Sequence, residues 1–190
     1  MPFIAKEITL KDGRTAVFRS PKPEDSEALL KYMKATAGET PYLLRTPEEC
    51  TMTAEAEQAF ITNVNNQKHA VMILCFLEGN LAGTCQIVRH TRQKSQHRAS
   101  VMIALYQKFW GLGIGTAMFQ EMITPAKDWE VQQLELEVIE GNVRAIALYE
   151  KMGFTTVATL PDAIRLNDGT FLKEYTMVRN IYANTLEESL

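Results

Sequence analysis

The chain is poor in cysteine and contains no long apolar run. Its three cysteines, Cys50, Cys75 and Cys85, are odd in number and lack the spacing of metal ligands, so we expect no metal site. Cys75 and Cys85 lie in apolar, strand-like runs, which favours buried thiols over a disulfide or a catalytic nucleophile. No stretch approaches the roughly 18 apolar residues that a transmembrane helix needs. The sequence therefore argues against a disulfide-stabilised scaffold and against a helical membrane protein.

The sequence also lacks an excess of basic charge. Its net charge is −3 and its isoelectric point is near 5.7. Lysine and arginine are scattered rather than gathered into a stripe that could follow a phosphate backbone, so we expect no nucleic-acid partner. Residues 1–7 carry neither a basic leader nor an apolar signal core, and on that basis we expect a cytoplasmic protein.

What the chain does have is enough apolar sequence for one ordinary core. With 190 residues, 46% of them hydrophobic, it is long enough for one domain and short for two. We found no internal repeat, low-complexity segment or linker that would mark a boundary. A single domain over residues 1–190 is the prediction.

The first half of the chain reads as hairpins and helices. Alternating residues around Asp12-Gly13 predict an opening hairpin, and Gly79-Asn80 predicts the turn of a second one. A capping box at Thr46 to Glu49 predicts the start of a helix that runs to about Val64, either continuous or broken near Thr51 to Thr53. Helical spacing before Gly38 predicts another helix that ends there. Strands are expected at 4–10, 15–19, 70–77, 81–89 and 98–105, and the first helix at 24–37.

Strands and helices alternate in the second half. Helices are expected at 116–127 and 143–152, and strands at 131–139, 154–159 and 170–180. Hairpins followed by alternating elements indicate an α/β fold of mixed α+β character. The prediction is a mixed, mostly antiparallel sheet of six to seven strands with helices on both faces.

Three alternating glycines follow the strand at 98–105. Gly111, Gly113 and Gly115 carry no Cβ atom that would keep an anion from the main chain, and they allow backbone torsions that other residues avoid. Successive N–H groups at a helix start can then converge on a phosphate, where the helix dipole also favours negative charge. A tight strand-to-helix turn would require the same glycines, so this loop alone leaves both interpretations open.

A second motif lies about thirty residues further on. Leu134–Phe154 reads as a strand that passes through Gly141 and Asn142 into a helix ending at Gly153. Together the two motifs resemble those of the GCN5-related N-acetyltransferase (GNAT) family, whose glycine loop binds the pyrophosphate of acetyl-CoA. The resemblance covers most of the chain, loosely before Ala70 and closely from Ala99 to Phe154.

The resemblance implies a GNAT-like acyl-CoA N-acyltransferase fold, with acetyl-CoA as the acetyl donor. It further implies transfer to a primary amine of a small molecule or of a protein N-terminus. Main-chain groups of the strand before the loop would face the thioester, the loop would hold the pyrophosphate, and the second motif would contact the CoA arm. The cofactor-binding positions would then be Ile103, Ala104, Leu105, Gly111, Leu112, Gly113, Ile114, Gly115, Thr116, Asn142, Ala145 and Tyr149.

The same resemblance implies catalytic roles for two side chains. Tyr149 occupies the position of the family's general acid, and Glu137 occupies that of the proposed base of ribosomal-protein alanine acetyltransferases. The same residues are also compatible with purely structural roles. Tyr149 could only pack in the core, Glu135 and Glu137 could form a solvated strand face, and Asn142 could simply cap a helix. Glu39 or a water molecule could replace Glu137 as the base.

Several positions depart from the family pattern or carry little signal. Trp110 stands where the family has Gln or Arg, and Ala99 stands where its histone-modifying branch has a base. Arg144 and Lys151 could meet the 3′-phosphate of CoA or could merely be solvated. His90 and His97 flank a polar hairpin tip at 91–96 and are expected to be surface residues rather than ligands.

Two other functions compete with the acetyltransferase. A dinucleotide oxidoreductase would need its glycine loop after the first strand of a βαβ unit, whereas here the loop follows about a hundred residues and a hairpin strand. A non-catalytic CoA-binding sensor or interaction module would keep every phosphate-binding residue and stays open. We also expect a homodimer, because homodimers are common in the family and 171–178, before the polar tail 184–190, could form a free sheet edge.

Overall fold

The computed structural model describes residues 2–182, which form an eight-stranded sheet and four α-helices. The strands lie in the order β1-β2-β3-β4-β5-β6-β8-β7, mostly antiparallel, with β5 and β6 parallel. Their bounds are Lys6–Thr9 (β1), Thr15–Arg19 (β2), Ala70–Leu77 (β3), Asn80–Arg89 (β4), Arg98–Leu105 (β5), Gln133–Ile139 (β6), Thr155–Arg165 (β7) and Phe171–Asn180 (β8). The helices are Ser26–Glu39 (α1), Ala54–Asn66 (α2), Ile114–Asp128 (α3) and Val143–Lys151 (α4). The predicted fold class is confirmed, but the sheet has eight strands rather than six or seven.

The described residues form two compact units. The first contains the chain up to residue 87 together with 102–122, and the second contains 88–101 together with the chain from 123 onward. The boundary passes within β4, β5 and α3, so neither unit is a continuous stretch of sequence. The single domain expected from the sequence stays a prediction.

The first unit is organised around its opening hairpin and the helix α1. β1 and β2 pair antiparallel, and the predicted turn contains Gly13 with a φ of +86°, a torsion that glycine adopts without strain. Apolar residues from α1, α2, β3 and β4 then pack into one buried cluster, which removes their surface from water. The buried members of this cluster are Leu29, Tyr32, Ile61, Leu74 and Leu81.

The helices α1 and α2 of this unit differ from the sequence prediction. α1 continues through Gly38 to Glu39. Only half of the expected capping box forms: the Thr46 N–H donates to Glu49 Oε2 at 2.8 Å, but the Glu49 N–H donates to the Thr46 main-chain carbonyl at 3.2 Å, which closes a turn rather than opening a helix. α2 begins only at Ala54, where the Thr53 side chain caps it by accepting from the Ala56 N–H at 3.2 Å. Bonds of the capping-box type can stabilise a single turn without a helix behind it. The helix itself begins at the second cap, Thr53, a few residues downstream.

The second unit contains β8, where the sequence analysis predicted a free sheet edge at 171–178. That prediction is wrong. β8 pairs antiparallel with β6 on one side and with β7 on the other, so the stretch 171–178 is interior to the sheet. β7 forms the edge instead. It runs past the expected end at Thr159 to Arg165, with an irregular register between Leu160 and Ile164. The tail 184–190 lies outside the described residues.

The cysteine prediction is confirmed. Cys75 and Cys85 are buried free thiols, and burial raises the pKa of both, that of Cys75 to about 12. Neither is therefore a reactive thiolate.

Candidate active site

The glycine loop lies in the first unit, between β5 and α3. Gly111 and Gly113 have φ values of +81° and +89°, in the left-handed region where a Cβ atom is strained. Gly115 instead lies within the first turn of α3, which begins at Ile114 and carries no acidic residue there. The first N–H groups of a helix have no partner inside it, so this turn offers donors and a positive dipole end. The loop therefore has the chemistry of an anion site.

Trp110 folds back onto the strand that precedes the loop. Its indole N–H donates to the Leu105 carbonyl at 3.0 Å. The side chain that replaces the family's Gln or Arg is thus engaged by the protein's own main chain. The donors that this loop offers to an anion are consequently its main-chain N–H groups rather than the side chain at position 110.

Glu39 holds the other end of the same segment. Its carboxylate accepts a hydrogen bond of 2.8 Å from the Gln107 main-chain N–H, and the Gln107 side-chain amide donates in return to the Glu39 carbonyl. A carboxylate that accepts such a hydrogen bond is held in place. This contact gives Glu39 a role in fixing the loop entrance.

The end of β5, where Ile103, Ala104 and Leu105 lie, is held closely by its neighbours. The Tyr32 hydroxyl donates to the Ala104 carbonyl at 2.6 Å, and the Tyr106 N–H donates to the Ala82 carbonyl at 3.0 Å. At Gly83 a Cβ atom would lie 2.8 Å from the Ala104 oxygen and would collide with the Leu105 side chain. Close approach of β4 and β5 thus requires glycine at this position.

In the second unit, Asn142 opens α4 and a glycine closes it. The Asn142 side chain accepts from the Ala145 N–H at 3.3 Å, which confirms the helix cap. At the other end, the Gly153 N–H donates to Glu150 and the Phe154 N–H donates to Tyr149, both at 2.9 Å, and Gly153 has a φ of +83°. This is the Schellman arrangement. It gives the Tyr-x-x-x-Gly-Phe spacing a structural reason of its own.

Tyr149 is buried, with 8% of its surface exposed. Its ring lies 6.2 Å from that of Phe154, centroid to centroid, the apolar contact that commonly accompanies a Schellman cap. Burial raises the pKa of Tyr149 to about 12. The phenol therefore stays protonated at physiological pH and remains able to donate.

Glu137 is exposed on β6, as the solvated-face interpretation expects. It lies opposite Thr176 of β8, while Glu174 lies opposite Ile139, so Glu137 and Glu174 are diagonal neighbours on one face of the sheet. Partial burial raises the pKa of Glu174, and the like charge of Glu137 raises it further. The two carboxyl groups thus create a negative potential on this face.

Glu135 is not simply a solvated side chain, as one interpretation of the sequence expected. It pairs with Arg98, lies 2.8 Å from His90 Nε2 and accepts from the Ser100 hydroxyl at 3.2 Å. His90 is accordingly a member of a partly buried ionic cluster, whereas His97 is exposed as expected. The parallel register, which places Ser100 directly beside Glu135, assembles this cluster. No local sequence pattern announces it.

The structure distributes the expected site residues over both units. Positions 103–105 and 111–116 belong to the first, and Glu137, Asn142, Ala145 and Tyr149 belong to the second. Arg144 and Lys151 are exposed on α4. Within residues 2–182, no group of three or more His, Cys, Asp or Glu side chains could hold a metal ion. Over the same residues, none of the helices has the length and apolar character to cross a membrane.

Known proteins resemble this chain both in sequence and in fold. The L-amino acid N-acetyltransferase AaaT of Escherichia coli K12 is 28% identical over 109 residues, which is 57% of this chain and 66% of that relative. The chain thus matches just under two thirds of the relative's length. The acetyltransferase of GNAT family from Streptococcus pneumoniae has a TM-score of 0.82 at 24% identity, covering 87% of this chain and 99% of that one. The yncA protein from Salmonella typhimurium, solved with its cofactor acetyl-CoA, has a TM-score of 0.75 at 14% identity, covering 87% and 94%.

The family is identified by a match that is much longer than either of the two motifs. Residues 30–154, which include most of α1, the glycine loop and α4, match the sequence model of the Acetyltransferase (GNAT) family. That stretch is more than half of the chain. The protein therefore belongs to the acetyltransferase (GNAT) family.

Proposed function

We propose that this protein is an acetyl-CoA-dependent N-acetyltransferase that acetylates a primary amine of a small molecule or of a protein N-terminus. The observation that carries the proposal is the loop in which left-handed Gly111 and Gly113 lead directly into the first turn of α3. This geometry suits a pyrophosphate, and the chain belongs to a family of acetyltransferases. The yncA structure contains acetyl-CoA, whose pyrophosphate is the kind of anion that this loop would hold.

Several groups of this chain fit the cofactor. The N–H groups of 111–116 would hold the pyrophosphate, and main-chain groups of 103–105 would polarise the thioester and stabilise the developing oxyanion. Asn142 and Ala145 would contact the CoA arm near the start of α4. Acetyl-CoA supplies the activated acetyl group, and the protein supplies its orientation.

The reaction requires three proton transfers: two from the nitrogen and one to the sulfur. An amine is mostly protonated at neutral pH, with a reference pKa near 10.4 for lysine and about 7.7 to 8.0 for an α-amino group, so a base must first remove a proton. The free amine then attacks the thioester carbon, the nitrogen of the tetrahedral adduct loses its second proton to solvent, and the C–S bond breaks. The sulfur leaves with the bonding electrons as a thiolate and needs a proton.

We assign the acid role to Tyr149. Its pKa of about 12 keeps the phenol protonated before transfer. The same value makes complete transfer to a thiolate with a pKa of about 8.5 unfavourable by roughly three to four units. The assignment therefore requires that the leaving sulfur first accepts a hydrogen bond and that solvent reprotonates the phenolate afterwards.

We assign the base role to Glu137, acting directly or through water. Its exposure on β6 leaves the carboxylate open to an incoming ammonium group. Nearby Glu174 adds to the negative potential that would attract such a cation. Glu39 is a weaker candidate because its carboxylate already binds the Gln107 N–H.

Thiol release with a panel of amines tests the proposal. Purified protein would be mixed with acetyl-CoA and, in separate reactions, free amino acids, other small amines and peptides with free N-termini. The expected result is release of free CoA thiol that depends on one acceptor class and disappears in Gly113→Glu. Acetyl-CoA binding without turnover on any amine would favour the non-catalytic sensor or interaction module.

We also propose a homodimer, formed through β7. This edge strand is exposed along most of its length, with Val157 and Leu160 each 58% exposed. A second copy could cover these side chains or extend the sheet, although Pro161 limits continuous pairing there. Light scattering checks this expectation, and a clean monomer across working concentrations contradicts it. Cytoplasmic location stays a prediction of the sequence.

A further inference from the structure

The turn of the opening hairpin lies against the glycine loop. Lys11, between β1 and β2, donates its main-chain N–H to the Leu112 carbonyl at 3.3 Å. Both residues belong to the first unit. A turn far away in sequence is thereby attached to the segment that precedes α3.

The Lys11 side chain runs directly over Gly113. Its Cγ, Cε and Cδ atoms lie 3.3, 3.6 and 3.7 Å from the position that a Cβ atom would take at residue 113. The missing side chain of Gly113 therefore makes room for a lysine stem as well as for a left-handed torsion. Because Nζ is one bond beyond Cε, the ammonium group lies within roughly 5 Å of that position.

Lys11 differs in its partners from the other cations of the hairpin. Lys6 pairs with Glu121 at 2.6 Å, and Arg14 pairs with Asp12, the acid next to Lys11, at 2.7 Å. Over the chain from residue 2 to residue 182, no ion pair involves Lys11. The first turn of α3 brings no acidic side chain either. The hairpin thus presents one cation to the loop without a carboxylate to neutralise it.

We propose that Lys11 is a phosphate-binding residue whose ammonium group contacts the pyrophosphate of CoA. The inference rests on the proposed function, since it requires that the glycine loop binds CoA. A lysine beside main-chain donors adds a full charge to a site that otherwise has only dipoles. The hairpin then supplies the charged side chain that Trp110, whose indole binds Leu105, does not supply.

Calorimetry with three ligands tests the assignment. Wild type and the variants Lys11→Met and Lys11→Arg would be titrated with CoA, with dephospho-CoA, which lacks only the 3′-phosphate, and with pantetheine, which has no phosphate. Lys11→Met should weaken CoA and dephospho-CoA equally, by roughly 3- to 10-fold, and leave pantetheine unchanged. Lys11→Arg should restore most of the affinity. Lys31→Met, an exposed lysine of α1, makes the same change in net charge and should have no effect.

Three other calorimetry results would contradict the proposal, each at a different point. Equal affinities of wild type and Lys11→Met for CoA would remove Lys11 from the site. A loss for CoA but not for dephospho-CoA would overturn the pyrophosphate assignment and place the contact at the 3′-phosphate. If wild type binds neither CoA nor dephospho-CoA, the proposed function fails and this inference fails with it.

Discussion

The Tyr32 hydroxyl and the Ala104 carbonyl, 72 positions apart in the chain, share a hydrogen bond of 2.6 Å. Tyr32 is buried, and burial raises the pKa of its phenol, so the hydroxyl stays a donor at any physiological pH. Ala104 lies in the stretch that we propose to face the thioester. The bond therefore fixes main-chain geometry where the acetyl group would lie.

Tyr32→Phe should reduce kcat by roughly tenfold and weaken acetyl-CoA more than free CoA. The ring remains packed edge-on against Tyr106, 5.0 Å away, so only the hydroxyl is lost and the Ala104 carbonyl is left unpaired. Steady-state kinetics and calorimetry with both ligands measure this. Thr36→Val removes another buried hydroxyl of α1, which bonds only within its own helix, and should change stability without changing kcat. Equal kcat values for Tyr32→Phe and wild type would reduce Tyr32 to a core residue.

Gly113→Glu should abolish detectable CoA binding. The carboxylate would repel the phosphates, and the φ of +89° would strain any side chain there. Gly113→Ala introduces the same strain without the charge and separates the two effects in calorimetry. We expect the glutamate variant to lose at least tenfold more affinity than the alanine variant. Similar losses in both would attribute the effect to backbone strain alone.

Tyr149→Phe should lower kcat by about 10²- to 10⁴-fold while leaving CoA affinity nearly unchanged. The ring contact with Phe154 and the Schellman cap do not need the hydroxyl, so a folding defect is not expected. Tyr175→Phe, which removes a hydroxyl on β8, is the matched control and should retain full turnover. If Tyr149→Phe keeps full kcat with the true acceptor, the thiolate takes its proton from water or from another residue.

Glu137→Gln should slow the reaction most at neutral pH and progressively less at high pH. The loss shrinks because an amine that is already deprotonated needs no base. A pH profile of kcat/KM for the acceptor reveals this signature. Glu174→Gln belongs in the same experiment: if that variant shows the pH-dependent loss and Glu137→Gln does not, the base is Glu174.

Glu57→Gln should stabilise the protein at neutral and alkaline pH. Glu57 is buried at the start of α2, and desolvation raises the pKa of its carboxyl, opposed in part by Arg45. A raised pKa in the folded state means that stability is full below the usual value and declines as the pH rises through the raised one. Thermal unfolding should therefore show a higher Tm for Glu57→Gln at pH 8. Each kcal/mol gained in the free energy of unfolding should raise Tm by about 2 to 4 °C. The difference should vanish near pH 4. An identical Tm at both pH values would mean that Glu57 is adequately solvated.

Local signals predicted the elements that local forces determine. The apolar runs Ala70–Leu77 and Arg98–Leu105 match β3 and β5 residue for residue, because polar turns bound them on both sides. The glycine loop and the Asn142 cap were also predicted, because each is marked by residues that are adjacent in the sequence. A helix start at Thr46 was wrong, whereas the alternative of a break near Thr51 to Thr53 agrees with α2, which begins at Ala54. Thr46 to Glu49 and Thr53 are competing caps, and only propagation of the helix chooses between them.

Contacts that depend on register or on distant segments could not be found in this way. The pairing of His90 and Arg98 with Glu135 needs the parallel alignment of β5 and β6, which composition does not encode. The position of Lys11 over Gly113 joins segments about a hundred residues apart. The prediction of a free edge at 171–178 was wrong for a related reason, since β8 returns along β7 and lies between β7 and β6.

One helix makes two of the side-chain contacts that fix the proposed thioester segment and the loop entrance. Tyr32 and Glu39 are seven positions apart, two turns of α1, and so project from the same side of the helix. Residues 103–107 consequently have a common anchor rather than two independent ones. Losing Tyr32 and Glu39 together should cost less than the sum of the single losses, a coupling that a double-mutant cycle measures. The connection at 40–53 begins where Glu39 ends α1, so a change in the conformation of that connection would act on the same anchor that holds 103–107.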